Sequence, residues 1–177
     1  MLMESFYEGL ARWQPFFTAS AGVAATLAGL LFVALSLNRE KITAQESRLL
    51  MRHAQRSFGD FLLALFIALL FLVPVYRSSD LTISLVFPLA FRGQWLARSI
   101  YRTIKISGGK QTALNVAREY LFQALSWIVL LAACLEIYRG EMIATYLIVP
   151  VIALLMYNAT RNAWQLLILE TRIEKNK

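Results

Sequence analysis

The chain has 177 residues, of which 58% are hydrophobic and 16% are charged, whereas an ordinary soluble domain is roughly 25% charged. This length and composition predict one integral membrane domain, residues 1–177, and leave no room for a second domain. With one cysteine and one histidine, the sequence excludes an internal disulfide bond and a cysteine or histidine metal cluster.

The longest apolar stretch runs from Phe16 to Leu37, FFTASAGVAATLAGLLFVALSL, and contains no charge. At about 1.5 Å per residue it is long enough to cross a hydrocarbon layer of about 30 Å. Acids precede it at Glu4 and Glu8, unlike the cationic leader of a signal peptide, so we expect the segment to be retained. Pro15 is typical of a helix N-terminus and predicts that the crossing begins there.

Small side chains dominate the first half of this stretch. Helices in lipid associate by close backbone approach, which small residues permit. Ala21, Ala25 and Gly29 recur every four residues, and Gly22, Gly29 and Ser36 every seven. We therefore predict that these five residues form a helix-packing face and that the rest of the protein packs around this helix. A small bundle with such a face also predicts a homo-oligomer.

Four further apolar stretches predict helical crossings of the same kind. The fold class is then an all-α, polytopic transmembrane bundle of about five crossings. The third stretch reaches Arg92 after an uncharged run of only 11 residues, which is too short to span unaided, so four crossings plus a re-entrant segment are the alternative. The five crossings are expected at about 16–37, 58–76, 81–101, 120–138 and 143–164.

Basic residues cluster in three regions that five crossings place on one side. Residues 38–57, 92–118 and 161–177 hold five, six and four Lys or Arg, which is 15 of the 18. By the positive-inside rule that side is cytoplasmic, with the N-terminus outside and the C-terminus inside.

Basic juxtamembrane helices are expected at 44–57 and 110–119. Both would lie against an anionic leaflet, which attracts such helices. We therefore expect contact with the lipid bilayer, with a protein partner at the cytoplasmic face as an option and no nucleic-acid partner.

Arg92 is the most informative polar residue, because its predicted position is about 16 Å deep, near the midplane. Charged residues at that depth usually pair or reach water. Two interpretations stand: a snorkelling arginine with polar groups that hold the helices in register, or a cluster that lines a water-filled vestibule or ion path. The candidate partners at similar depth are Asp60, Asn158, Asn162, Arg161 and Glu119.

Two other side chains have predicted neighbours. Glu136 is expected to form a boundary ion pair with Arg139 or Arg77. Trp127 lies too deep for an interfacial aromatic belt, and we expect it to pack against the small face from Gly22 to Gly29.

The sequence shows no catalytic constellation: it has no histidine pair, no HExxH, no Gly-x-Ser-x-Gly and no acids spaced for a metal. It therefore predicts no enzyme, no metal site and no cofactor. Two function classes are left. The first is an oligomeric pore-forming or membrane-perturbing component, and the second is a non-conducting membrane subunit or scaffold that docks a cytoplasmic partner or anionic lipid through its basic helices.

The stretch AGVAATLAGLLFVALSLN, residues 21–38, is similar to the first helix of small, mostly uncharacterised bacterial multi-pass inner-membrane proteins. In those proteins a run of small residues leads into GLLFVALS. The resemblance implies a bacterial inner (plasma) membrane location, and it implies no activity and no functional residues.

Overall fold

A computed structural model describes residues 2–37, 47–73, 78–107, 110–141 and 143–175 of the chain. These residues form long helices, because the apolar runs between the turns contain few glycines. Three of the four prolines, Pro15, Pro88 and Pro150, lie within helices. The five described helices are α1 (Leu2–Leu37), α2 (Ser47–Leu70), α3 (Ser78–Ser107), α4 (Lys110–Arg139) and α5 (Ile143–Lys175).

One helix start differs from the sequence predictions, and another lies outside the described residues. The start expected at Pro15 is wrong, because α1 continues unbroken through this residue from Leu2. The basic helix expected at 44–57 is described only from Ser47, where α2 begins, so its first residues lie outside the described ranges. From Ser47 this helix continues without a break into the predicted second crossing.

Helix packing follows the lateral order α1, α2, α5, α4, α3. The largest interfaces join α2 with α5, α1 with α2, α3 with α4, and α4 with α5, while α3 also touches α2 and α1 touches α5 to a lesser extent. Helices α2 to α5 thus contact one another around a common interior, and α1 packs against α2 and α5 at its edge. The expectation that the protein packs around the first crossing is therefore wrong, because α2 and α5 hold the central positions.

The α4–α5 connection is a tight turn at Gly140, as the sequence predicts for residues 139–141. Gly140 has a φ of 74°, a left-handed conformation that glycine adopts without a steric penalty. Its N–H donates to the Ile137 carbonyl at 2.9 Å, and the Glu141 N–H donates to the Glu136 carbonyl at 3.0 Å. These two bonds form a Schellman motif, which ends α4 and turns the chain directly into α5.

The interior is closely filled by apolar side chains over most of its length. One continuous cluster includes Phe17, Ile67, Leu85, Leu130 and Val151, one from each helix.

Every described helix also carries large apolar side chains on its outer face. Examples are Leu30 and Phe32 on α1, Leu62 and Phe66 on α2, Ile83 and Phe87 on α3, Ile128 and Leu135 on α4, and Ile143 and Tyr157 on α5.

Two helices could span a membrane by length and composition, over Gly9–Leu37 and Ile143–Trp164. The second coincides with the fifth predicted crossing, 143–164, and the first contains the first predicted crossing, 16–37. The structure therefore shows an all-helical protein with two candidate spans among its described residues. It does not support a count of five crossings, which stays a prediction.

Candidate functional site

An ion pair between Arg92 and Asp60 joins α3 to α2. The Arg92 guanidinium donates a hydrogen bond to Oδ1 of Asp60. The Asp60 side chain is 0% exposed and the Arg92 side chain 14% exposed, so the carboxylate is fully removed from solvent and the guanidinium nearly so. Arg56, one turn before Asp60, adds a further attraction for the carboxylate. A buried charge persists only when such groups compensate it.

Three other contacts place this ion pair in one layer of the bundle. The indole N–H of Trp127 on α4 donates to the Leu89 carbonyl on α3 at 3.1 Å. The same indole lies against Gly93, the residue after Arg92. On the other side of α2, Phe61 packs in one small cluster with Ala159 of α5. Residues near 60, 92, 127 and 158 therefore share one depth across four helices.

Other polar side chains are buried within a turn or so of this depth. Ser57 precedes Asp60 by one turn on α2, Gln123 precedes Trp127 by one turn on α4, and Asn158 is next to Ala159 on α5; all three are buried. Together with the ion pair they make up what we call the polar layer: Ser57, Asp60, Arg92, Gln123 and Asn158.

Several atoms of the polar layer lack a hydrogen-bond partner. They are Oγ of Ser57, Oδ2 of Asp60, Oε1 of Gln123, and both Oδ1 and Nδ2 of Asn158. The Asn158 side chain is the most notable, because it is 1% exposed and neither end of its amide is paired. Buried polar groups in folded proteins are almost always hydrogen-bonded to protein or to ordered water. The layer therefore has the hydrogen-bonding capacity to hold a small polar species.

Apolar side chains close the layer on the side away from the basic ends of the helices. Leu85 and Leu89 on α3, Leu130 on α4 and Leu155 on α5 belong to the continuous core cluster that fills the bundle beyond it. At the boundary between the polar layer and this apolar core, α3 and α4 are in tight contact, because a Cβ on Gly93 would lie 3.0 Å from the Trp127 ring. The packing of Trp127 predicted against Gly22 to Gly29 is thus wrong.

The structure places the other predicted cluster residues at or beside the polar layer. Asn162 is buried one turn beyond Asn158 on the same face of α5, and Arg161 is partly buried next to it. Glu119 lies in α4, and its side chain is outside the described residues. Among the predicted residues, Arg92 and Asp60 contact each other.

The predicted helix-packing residues divide between two faces of α1. Ala21 is buried in the core. Gly22, Ala25, Gly29 and Ser36 are exposed, and a Cβ on either glycine would meet nothing within 4 Å. The Ser36 hydroxyl donates to the Phe32 carbonyl of its own helix at 2.8 Å. These four residues are therefore not closely packed against the described part of the chain, and their use between copies stays a prediction.

The expected boundary ion pair forms at the opposite end of the bundle. Arg139 donates to Glu136 at 3.0 Å, and the two side chains are 58% and 22% exposed. It provides an exposed pair with which the buried one can be compared.

Sequence reasoning missed the neutral members of the polar layer, Ser57 and Gln123. Ser126 is also buried at this level, where its hydroxyl donates to the Gln123 carbonyl at 2.9 Å. A usable signal was the spacing: Ser57 precedes Asp60 by three residues, and Gln123 precedes Ser126 by three. Polar residues at such intervals lie on one helical face.

Comparisons with family models, curated proteins and solved structures give no match. Among the described side chains, no group of three His, Cys, Asp or Glu could hold a metal ion. The function is therefore argued from the site.

Proposed function

We propose that the chain is a five-crossing protein of the bacterial inner membrane and a component of an oligomeric pore. The number of crossings rests first on the outer surface. All five described helices expose large apolar side chains there, and exposed apolar surface of this kind is typical of a membrane-facing wall. The fourth predicted crossing, 120–138, carries Glu136 as its single charge.

The third predicted crossing is supported by the ion pair. Its weakness in the sequence was Arg92 after a short apolar run, and the structure pairs this arginine with Asp60. A paired and shielded charge is tolerated at membrane depth. In addition, α3 is continuous from Ser78 to Ser107, which favours a full crossing over a re-entrant segment.

The orientation follows from the bases. The segments 38–57, 92–118 and 161–177 adjoin the same end of the five helices, and they carry 15 of the 18 Lys and Arg. The positive-inside rule then places the N-terminus outside and the C-terminus inside. Reporter fusions after Lys110 and after Lys175 are expected to report the cytoplasm, and a fusion at Gly140 the outside. Fusions after Lys110 and Lys175 on opposite sides would contradict the five-crossing topology.

The polar layer is the observation that carries the pore hypothesis. A buried Asp–Arg pair, surrounded by polar atoms without protein partners, is costly in an apolar bundle and is typical of a polar path rather than of a packing core. Beyond the layer the bundle is filled with apolar side chains. The conformation is therefore a closed one, in which the apolar core is the barrier and the polar layer is its cytoplasmic vestibule.

The exposed small face of α1 supports an oligomer. Gly22, Ala25 and Gly29 lie outside the core with open space above both glycines. Such residues allow close approach of a second helix in lipid. We propose that copies of the chain associate through this face.

Ion flux through reconstituted protein tests the function. Liposomes that contain the purified protein and a fluorescent ion indicator are expected to leak small ions faster than empty liposomes. Arg92→Leu and Arg92→Lys are expected to change the rate, while Glu136→Gln, at the exposed pair on the other end, is the matched control and is expected to leave it unchanged. Equal leakage from wild-type and empty liposomes would contradict the pore hypothesis. Recovery of a stoichiometric cytoplasmic partner in that case would favour the scaffold alternative.

A further inference from the structure

We infer that the polar layer binds one small monovalent cation, of the alkali metal or ammonium class, on the oxygen atoms of Asp60, Asn158, Gln123 and Ser57. This inference deepens the proposed function, because it names the class of ion that the vestibule takes. The inference also goes beyond the proposed function, because it assigns a binding site that can be measured in the absence of any flux.

The first step is the chemistry of the unpartnered atoms. Oδ2 of Asp60, Oε1 of Gln123 and Oδ1 of Asn158 are hydrogen-bond acceptors, and Oγ of Ser57 can accept as well as donate. The amide nitrogen of Asn158 is the one pure donor in the set. A species that satisfies mostly acceptors must donate hydrogen bonds or carry positive charge. The layer therefore favours a cation over an anion.

The second step is the charge that the layer can neutralise. It contains one carboxylate, and Oδ1 of that carboxylate already accepts from Arg92. Divalent ions such as Ca²⁺ and Mg²⁺ are bound through several oxygen ligands that usually include carboxylates or phosphates. One shared carboxylate with neutral amide and hydroxyl oxygens suits a singly charged ion.

The third step is the relation between the cation and Arg92. Both would be attracted to the same carboxylate, on which Arg56 also acts, and these positive charges repel one another. The Asp60 side chain is fully buried, but that of Arg92 retains 14% exposure, and its long stem allows the guanidinium to reach toward the headgroups. Cation binding and the Asp60–Arg92 contact therefore compete. A cation that enters the layer weakens the link between α2 and α3.

Unfolding temperature tests the site directly. Wild-type protein in detergent is melted in increasing NaCl, KCl or NH₄Cl, with choline chloride holding the ionic strength constant. A ligand that binds the folded state raises the unfolding temperature as its concentration passes the dissociation constant. We expect a saturable rise with at least one small cation, relative to choline, whose alkyl groups keep its charge away from the oxygen atoms. Identical melting in all four salts would overturn the inference and would leave water as the occupant.

Substitutions then assign the site. Asn158→Leu removes the unpaired amide without changing charge, and it is expected to weaken the cation effect by about tenfold or more; Asp60→Asn is expected to abolish it. Arg92→Gln removes the competing charge and is expected to strengthen apparent affinity by about tenfold. Ser20→Ala, at a buried serine of α1, is the matched control and should retain the wild-type response.

The results for Asp60→Asn and Arg92→Gln are interpreted only if these variants elute at the same volume as the wild-type protein in gel filtration. Asn158→Leu keeps the test decisive if they do not, and an unchanged cation response in this variant would overturn the site. Saturable stabilisation without liposome flux would overturn the pore and leave the site standing. Flux without cation-specific stabilisation would overturn the site and leave the pore standing.

Discussion

Replacement of the buried ion pair by apolar residues is expected to show that the two residues are energetically coupled. Replacing Arg92 alone is expected to cost more stability than replacing Asp60 alone. The perturbations are Arg92→Met, Asp60→Leu and the double variant. Arg92→Met leaves the Asp60 carboxylate, which is 0% exposed, without its main counter-charge. Breaking a buried pair in this way costs about 3–5 kcal/mol of unfolding free energy.

The reverse single variant is expected to be milder. Asp60→Leu leaves Arg92 unmatched, but this side chain is 14% exposed and can turn its guanidinium toward water or lipid headgroups. We expect a loss of about 1–3 kcal/mol. The double variant removes both charges, and because apolar replacement of a buried pair is often neutral, it should lie within about 1 kcal/mol of wild type.

Reversible titration of detergent-solubilised protein with a denaturing detergent, followed by tryptophan fluorescence, measures these unfolding free energies. The control cycle is Glu136→Gln with Arg139→Met at the exposed pair, where side-chain exposures of 22% and 58% predict a coupling of about 0.2–1 kcal/mol. Single effects that add to the double effect within about 0.5 kcal/mol would refute coupling between Asp60 and Arg92.

Three further predictions concern packing and are measured by the same titration. Gly93→Ala is expected to cost about 1–3 kcal/mol, because its Cβ would lie 3.0 Å from the Trp127 ring, and unchanged stability would contradict this close contact. Trp127→Phe removes the 3.1 Å hydrogen bond to the Leu89 carbonyl and should cost about 0.5–1.5 kcal/mol. On α1, Ala24→Leu overfills a buried position and should destabilise the fold by about 1–3 kcal/mol. Ala25→Leu lies on the exposed side of the same helix and should leave the stability unchanged. This second variant should instead shift the oligomeric state, which is measured by crosslinking in membranes. An unaltered crosslinking pattern would remove the α1 face as the interface.

Depth along a helix could be read from the sequence, and this explains why Asp60 was among the partners expected for Arg92. A helix rises by a constant 1.5 Å per residue, so residues counted from the same boundary reach the same level. The structure joins these two side chains although 32 residues separate them. The tight turn at Gly140 was similarly accessible, because an apolar run ends on either side of it.

Lateral order could not be read in the same way. Trp127 has two suitable glycine-containing partners, the stretch from Gly22 to Gly29 on α1 and Gly93 on α3. Nothing in the spacing of residues says that α4 is next to α3 and remote from α1. The structure places its ring against Gly93. For the same reason, the small residues of α1 predict a packing face, but their spacing does not say that Gly22 and Gly29 point away from the chain's own core.

Neutral polar residues were the other gap. Arg92 and Asp60 stand out in an apolar sequence because charge is rare there. Ser57 and Gln123 do not, because single serine and glutamine residues are common on exposed helix faces. Their importance comes from burial without a partner, which depends on the assembled neighbours and not on the local pattern.

The order of the helices bears on how the protein is made. Asp60 leaves the ribosome 32 residues ahead of Arg92, and α2 must also wait for its main neighbour α5, the last of the five described helices to be translated. Throughout that interval the Asp60 carboxylate lacks its main partner and has only Arg56, one turn earlier on the same helix, beside it. A factor that shields this polar surface until α3 and α5 have been made is the kind on which folding of the chain would depend.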